Sequence, residues 1–201
     1  MSMNLTIAVT QLFETETQRR LIDCAIAEFD RNRWYRTGEL AEAIDKSRNS
    51  VTSVVHSSRG TVRPLVRFGI FEPKHEITQE PNIPHYRIAD SEVVELLDSW
   101  DGYPLTDLFQ YSGAQDLVSF FVLEGPDTEW SYNQIQQNSP IGYQACSKHM
   151  ETLVDAGLVT EHETPRGSKY QLDTDSKLYG FLGQLNNAIM SYAEQYNDLG
   201  A

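Results

Sequence analysis

The chain has 201 residues and a formal net charge of −13, with five Lys against eleven Arg. That length suits two domains of about 95 residues, each with its own core. No stretch of about 18 apolar residues and no charged-then-apolar leader is present, so the sequence implies a cytoplasmic protein with no membrane span. An acid surplus with few lysines is the composition of proteins from salt-loving cells, where charge is a solubility device, so the acidic total does not exclude DNA as a partner.

Leu5, Ala8, Val9, Leu12 and Phe13 fit one face of an opening helix, although Leu5, Ile7 and Val9 also alternate. Thr15-x-x-Gln18 is a capping box for a second helix with core face Leu21, Ile22, Ala25, Ile26 and Phe29. Arg31, Arg33 and Arg36 then flank Trp34 and Tyr35, where a short strand and contacts to backbone phosphates are expected. Thr37 is the expected cap of a short helix carrying Leu40, Ala41 and Ile44, which ends at the turn Asp45-Lys46-Ser47. Ser47 caps the candidate recognition helix. Val51, Val54 and Val55 must face its core, which leaves Arg48, Asn49, Ser50, Thr52, Ser53 and His56 to face outward. Arg matches guanine O6 and N7, Asn matches adenine N6 and N7, and small hydroxyls suit several partners. An ordinary polar surface is the competing reading. Gly60 and Pro64 interrupt the chain beyond this helix, and Arg59, Arg63 and Arg67 are better placed for phosphates than for bases. Residues 75–84, HEITQEPNIP, form a first wing with two Pro, two Glu and no Arg. Asp90 is the expected cap of a helix with Val93, Val94, Leu96 and Leu97, and residues 98–104 link to the second half.

Ser131-x-x-Gln134 is another capping box, and Ser139-Pro140 gives an N-cap and first helical position for the next helix. That helix carries Cys146, Met150, Leu153 and Val154 inward and stops at Gly157. Tyr143, Gln144, Ser147 and Lys148 face outward as a second recognition helix. Strands around the turn Thr164-Pro165-Arg166-Gly167 form its wing. Arg166 and Lys169 at this wing suit a minor groove or a phosphate, though the tip is also simply a good turn. On the final helix Leu178, Phe181, Leu182, Leu185, Ile189 and Tyr192 make a stripe with two readings: a homodimer seam, or packing back within the chain.

The two halves repeat. At an offset of 96, Thr10, Leu12, Phe13, Leu21, Ile22 and Trp34 meet Thr106, Leu108, Phe109, Leu117, Val118 and Trp130. At 88, Leu65-Val66-x-x-Gly69-Ile70-Phe71 meets Leu153-Val154-x-x-Gly157-Leu158-Val159, and at 84 Tyr86-Arg87-Ile88 meets Tyr170-Gln171-Leu172. The expected fold is mainly α with small β-wings (α+β): two tandem winged helix-turn-helix domains from an internal duplication, residues 1–98 and 99–201, plus a long C-terminal helix. Residues 19–67 hold ten Lys or Arg against six Asp or Glu, whereas residues 68–201 hold six against 21. The first repeat is thus the one basic zone of an acidic molecule. Cys24 and Cys146 form no CxxC pair, and buried reduced thiols are favoured over a disulfide or redox switch.

Residues 104–113, PLTDLFQYSG, with Leu117-Val118-Ser119-Phe120-Phe121, residues 153–159 and Tyr170-x-Leu172, resemble haloarchaeal winged-helix proteins, often duplicated, of the ArsR-like transcription-regulator type. The resemblance covers nearly the whole chain, is tightest over residues 104–172, and specifies fold better than function. Metal sensing is not carried over, because Cys146-x-x-His149 is the only such pairing and Cys146 faces inward. No phosphate loop, metal cluster or Ser–His–Asp grouping implies an enzyme, a metal or a cofactor. The sequence favours a DNA-binding regulator, a homodimer on double-stranded DNA. The alternative is an acidic adaptor subunit that grips another protein, as in chromosome-condensing complexes.

Overall fold

The computed structural model describes residues 7–55, 64–74 and 84–199. It is a mixed α+β fold, mostly helical, with two small antiparallel sheets. The chain forms two compact units. The first unit holds Gln11–Trp100 and the chain from Asn187 onward; the second holds Asp101–Asn186 and the N-terminal segment up to Thr10.

Helix α1 (Ile7–Leu12) leads into α2 (Glu16–Ala27). The Thr15 capping box is formed: the Gln18 N–H donates to Thr15 Oγ1 at 3.2 Å, and Gln18 Oε1 accepts from the Thr15 N–H at 2.9 Å. Strand β1 (Tyr35–Arg36) runs directly into α3 (Thr37–Ala43). Arg36, not Thr37, is the cap residue here, because the Glu39 carboxylate reaches back to its N–H at 2.7 Å and Thr37 is already buried inside the first turn. The turn after α3 places Asp45 at φ 51 and closes with the Lys46 N–H on the Ala41 carbonyl. Ser47 then caps α4 (Arg48–Val55), accepting from the Ser50 N–H at 3.2 Å. After α5 (Pro64–Arg67) come β2 (Phe71–Pro73) and β3 (His85–Ile88), which join β1 in the order β1-β3-β2. Tyr35 stands opposite Tyr86 and Phe71 opposite Ile88, all four buried. Helix α6 (Glu92–Ser99) is capped by Ser91 and not by Asp90. Ser91 Oγ both accepts from the Val94 N–H and donates to the Gly69 carbonyl at 2.6 Å, a tertiary bond that Asp90 does not make. Gly69 itself has φ 77, and a Cβ there would lie 2.9 Å from the Tyr192 ring. Both facts require glycine.

The second unit contains α7 (Leu105–Leu108), α8 (Ser112–Glu124), α9 (Tyr132–Asn138), α10 (Tyr143–Asp155), β4 (Val159–Thr164) and β5 (Gly167–Leu172). Its Ser131–Gln134 capping box is formed. Ser139, expected to start α10, instead closes α9: its hydroxyl donates to the Ile135 carbonyl at 2.7 Å and accepts from the Ile141 N–H at 3.2 Å. Ile141 is buried and anchors the turn, so α10 begins later, after Gly142. Gly157 ends α10 at φ 72, and β4 and β5 pair from Val159–Leu172 to Thr164–Gly167 across Pro165-Arg166. Cys24 and Cys146 are both free and buried, and burial pushes both thiols up, away from the reactive thiolate.

Residues at matching offsets behave alike. Leu12, Phe13 and Leu21, and Leu108, Phe109 and Leu117, are all fully buried. Arg19 donates to the Phe13 carbonyl and Gln115 to the Phe109 carbonyl, each at 2.8 Å. The Ala89 N–H meets the Ile70 carbonyl, and the Asp173 N–H the Leu158 carbonyl, each at 3.0 Å. The alignment changes at one place. Trp130 bridges Tyr170 as Tyr35, not Trp34, pairs with Tyr86, so the offset there is 95. It stays 95 through α3 and α9, seven residues each, and sets Val51, Val54 and Val55 against Cys146, His149 and Met150, all buried.

The last helix, α11 (Lys177–Leu199), corrects one reading of the stripe. Leu178, Phe181, Leu182, Leu185 and Ile189 are buried within the single chain, and Tyr192 rests against Gly69. The stripe does not stand open as a seam between copies. Its apolar side chains are consumed by the chain's own cores.

Candidate nucleic-acid interface

Helix α4 turns Val51, Val54 and Val55 into the core and leaves Arg48, Asn49 and Ser53 exposed, with Ser50 and Thr52 half-buried. Three of its hydroxyls are committed locally. Thr52 donates to the Arg48 carbonyl at 2.8 Å, Ser53 to the Ser50 carbonyl at 2.6 Å, and Ser50 Oγ lies 2.9 Å from Ser47 Oγ. Thr52 and Ser53 keep only acceptor capacity and either hydroxyl of the Ser47–Ser50 pair can be the donor, so charged and amide donation outward falls to Arg48 and Asn49. Neither of those side chains has a hydrogen bond or ion pair among the described residues. His56, Arg59 and Arg63 lie outside the described residues.

The other cations of the first unit are mostly occupied. Arg20 and Lys46 pair with Glu16 at 2.7 and 2.9 Å, and Arg31 with Asp98 at 2.9 Å. Arg33 pairs with Glu39 and lies 4.9 Å above the Tyr35 ring. The Arg36 N–H, with Arg33 beside it, holds the Glu39 carboxyl below its usual range. The Arg36 side chain meets His85 at 3.2 Å, and Arg67 is exposed beside the Phe68 ring. Sequence reasoning missed Lys74 and Arg87, which lie 5.9 and 5.0 Å from the Trp34 ring, Arg87 also pairing with Glu72. No spacing rule joins these residues, because the β-sheet brings them together.

In the second unit Tyr143, Gln144, Ser147 and Lys148 are exposed on α10. Lys148 Nζ sits 4.6 Å over the Tyr111 ring, and Lys169 pairs with Glu129 at 3.4 Å. Arg166 is exposed at the hairpin tip. No family model, curated protein or solved structure matches the chain. Among the described residues no helix is long and apolar enough to cross a membrane, and no group of three or more His, Cys, Asp or Glu is placed to hold a metal ion.

Proposed function

We propose that the protein is a sequence-specific DNA-binding transcription regulator built from two tandem winged helix-turn-helix domains, the product of an internal duplication. In the first domain α3, the Asp45 turn and α4 form the helix-turn-helix, with α4 as the reading helix. The matched burial and hydrogen bonds at offsets of 96, 95, 88 and 84 support the duplication. The observation that carries the DNA reading is the pair Arg48 and Asn49. They are exposed and unpartnered among the described residues, at the start of a capped helix, while Arg20, Arg31, Arg33 and Lys46 are engaged. Arg36, Arg67 and the tip residue Arg166 serve as phosphate contacts in this reading. A homodimer on a palindromic site stays part of it, on a surface other than the buried α11 stripe.

Binding to a site selected from genomic fragments tests it. Arg48→Ala or Asn49→Ala should cost about 1–3 kcal/mol and relax preference at one base position. Lys148→Ala and Arg166→Ala should cost less, and equally on every duplex. Equal, sequence-independent losses from all four variants would overturn α4 as the reader. A second reading, a protein-gripping adaptor, is favoured by the acid excess of residues 68–201. It expects no preferred duplex at all.

A further inference from the structure

The second unit puts a different surface where the first puts Arg48 and Asn49. At the offset of 95, Tyr143 and Gln144 begin α10 as that pair begins α4. Tyr143 is 50% exposed, and its ring meets Tyr132 edge-on with centroids 5.6 Å apart. Tyr132 lies flat on Tyr170 at 5.1 Å with an interplanar angle of 1°, and their hydroxyls are 2.9 Å apart. The Tyr170 hydroxyl donates to Glu161 at 3.1 Å, so the proton between the two tyrosines comes from Tyr132. Burial and these partners raise the Tyr170 hydroxyl well above the usual tyrosine range, and it stays a donor. The result is one continuous row from the start of α10 to the hairpin.

The hairpin extends the row with negative charge. Glu161 stands opposite Tyr170 and Glu163 opposite Ser168. Strand side chains alternate between faces, so Glu163 shares the face of Glu161, while His162 and Lys169 take the other. Neither Glu161 nor Glu163 is paired with a cation among the described residues. Of the hairpin's two cations, Lys169 is turned to the other face and held by Glu129, and Arg166 lies at the tip, beyond the strand positions of Glu161 and Glu163.

We propose that Tyr143, braced by Tyr132 on the buried Tyr170, forms with Glu161 and Glu163 a docking surface for an arginine- or lysine-bearing segment of a protein partner. Ring faces carry negative quadrupole charge and attract cations, and adjacent carboxylates strengthen the attraction. Tyrosine is a frequent anchor of protein interfaces, and here the stack and hydroxyl chain already fix the rings, so little ordering is lost on binding. The same carboxylates repel phosphate, which sets DNA and anionic membranes against this face. The inference stands on the second unit alone and does not require the first to bind DNA.

The test uses the full chain and a fluorescein-labelled arginine–glycine repeat peptide, monitored by anisotropy. Tyr143→Ala should weaken binding about fivefold, a loss of the size expected for an exposed cation–π contact. Tyr143→Phe keeps the ring and should bind as the parent does. Glu161→Gln with Glu163→Gln should lose binding similarly, while Glu92→Gln with Glu95→Gln, two exposed acids of the first unit, should not. Thermal melts confirm that each variant is folded. Four outcomes overturn the proposal. The parent fails to bind the peptide; the Glu92/Glu95 control loses as much as the Glu161/Glu163 pair; a labelled single-stranded oligonucleotide binds and is lost with Tyr143→Ala; or sedimentation shows self-association that Tyr143→Ala abolishes, which makes the occupant a second copy.

Discussion

His149 occupies in α10 the inward position that Val54 holds in α4, and an imidazole there has consequences for pH. It is 7% exposed, its ring lies 5.1 Å from that of Tyr111, and a Cβ on Gly113 would approach its Cδ2 to 2.9 Å. Burial, with the Lys148 charge beside it, pushes the imidazole below its ordinary value. Between that lowered value and the ordinary one near about 6.5, the unfolded chain binds more protons than the folded one. His149 therefore imposes no acid penalty above about pH 6.5, and stability falls as pH drops through that value toward the lowered one. Thermal melts at about pH 7.5 and about pH 5.5 measure it. The parent should lose more melting temperature between the two than His149→Met, which keeps the volume and removes the titration. Equal losses would assign the acid sensitivity to the carboxylates instead. Other residue-scale features were legible in the sequence, such as Gly157 as a left-handed stop and Val51, Val54 and Val55 as the core side of α4. The tyrosine row was not, because Tyr132 and Tyr170 meet only once β5 bridges to Trp130, and local spacing carries no trace of that.

At the scale of elements, caps and stripes show how far sequence reaches. The Thr15–Gln18 and Ser131–Gln134 boxes formed as expected because both partners lie within one turn. Ser91 displaced Asp90, and Gly142 displaced Ser139, because neighbouring residues can each cap and a tertiary bond or a buried anchor decides between them. A stripe has the same limit. Periodicity marked the buried face of α11, and nothing in periodicity says whether a second copy or the same chain covers it. Burial within the chain changes what a substitution does there. Leu185 is fully buried, so Leu185→Ala should destabilise by about 2–5 kcal/mol, with transfer and cavity terms both contributing. Denaturant melts read this as a lower midpoint. A seam residue would instead leave the folded monomer's stability unchanged and shift only the dependence on protein concentration, and that result would reinstate the seam.

At the scale of the whole molecule, the charge distribution decides how DNA could be bound at all. Residues 68–201 carry 21 acids against six bases, which repel DNA at low salt, while residues 19–67 hold ten bases against six acids. Ordinary phosphate binding weakens steeply with salt because each neutralised phosphate releases a counterion. At 1 M salt the Debye length is only about 3 Å, so binding that persists at that salt cannot depend on that release. Four of those ten bases, Arg20, Lys46, Arg31 and Arg33, are moreover held in ion pairs, which lowers the number left to meet phosphates. Binding should then rest on short-range contacts from Arg48 and Asn49, with Ser50 and Thr52 as acceptors. We expect a shallower dependence on log salt than ten phosphate contacts would give, and a site preference that persists at molar KCl. An anisotropy titration of a genomically derived site and a scrambled duplex, from roughly 0.2 to roughly 3 M KCl, spans screening lengths from several Å down to less than a bond-contact distance. Preference surviving at the upper end supports the regulator. If both duplexes release the folded protein together as salt rises, the basic zone is only a weak electrostatic patch, and the adaptor reading takes its place.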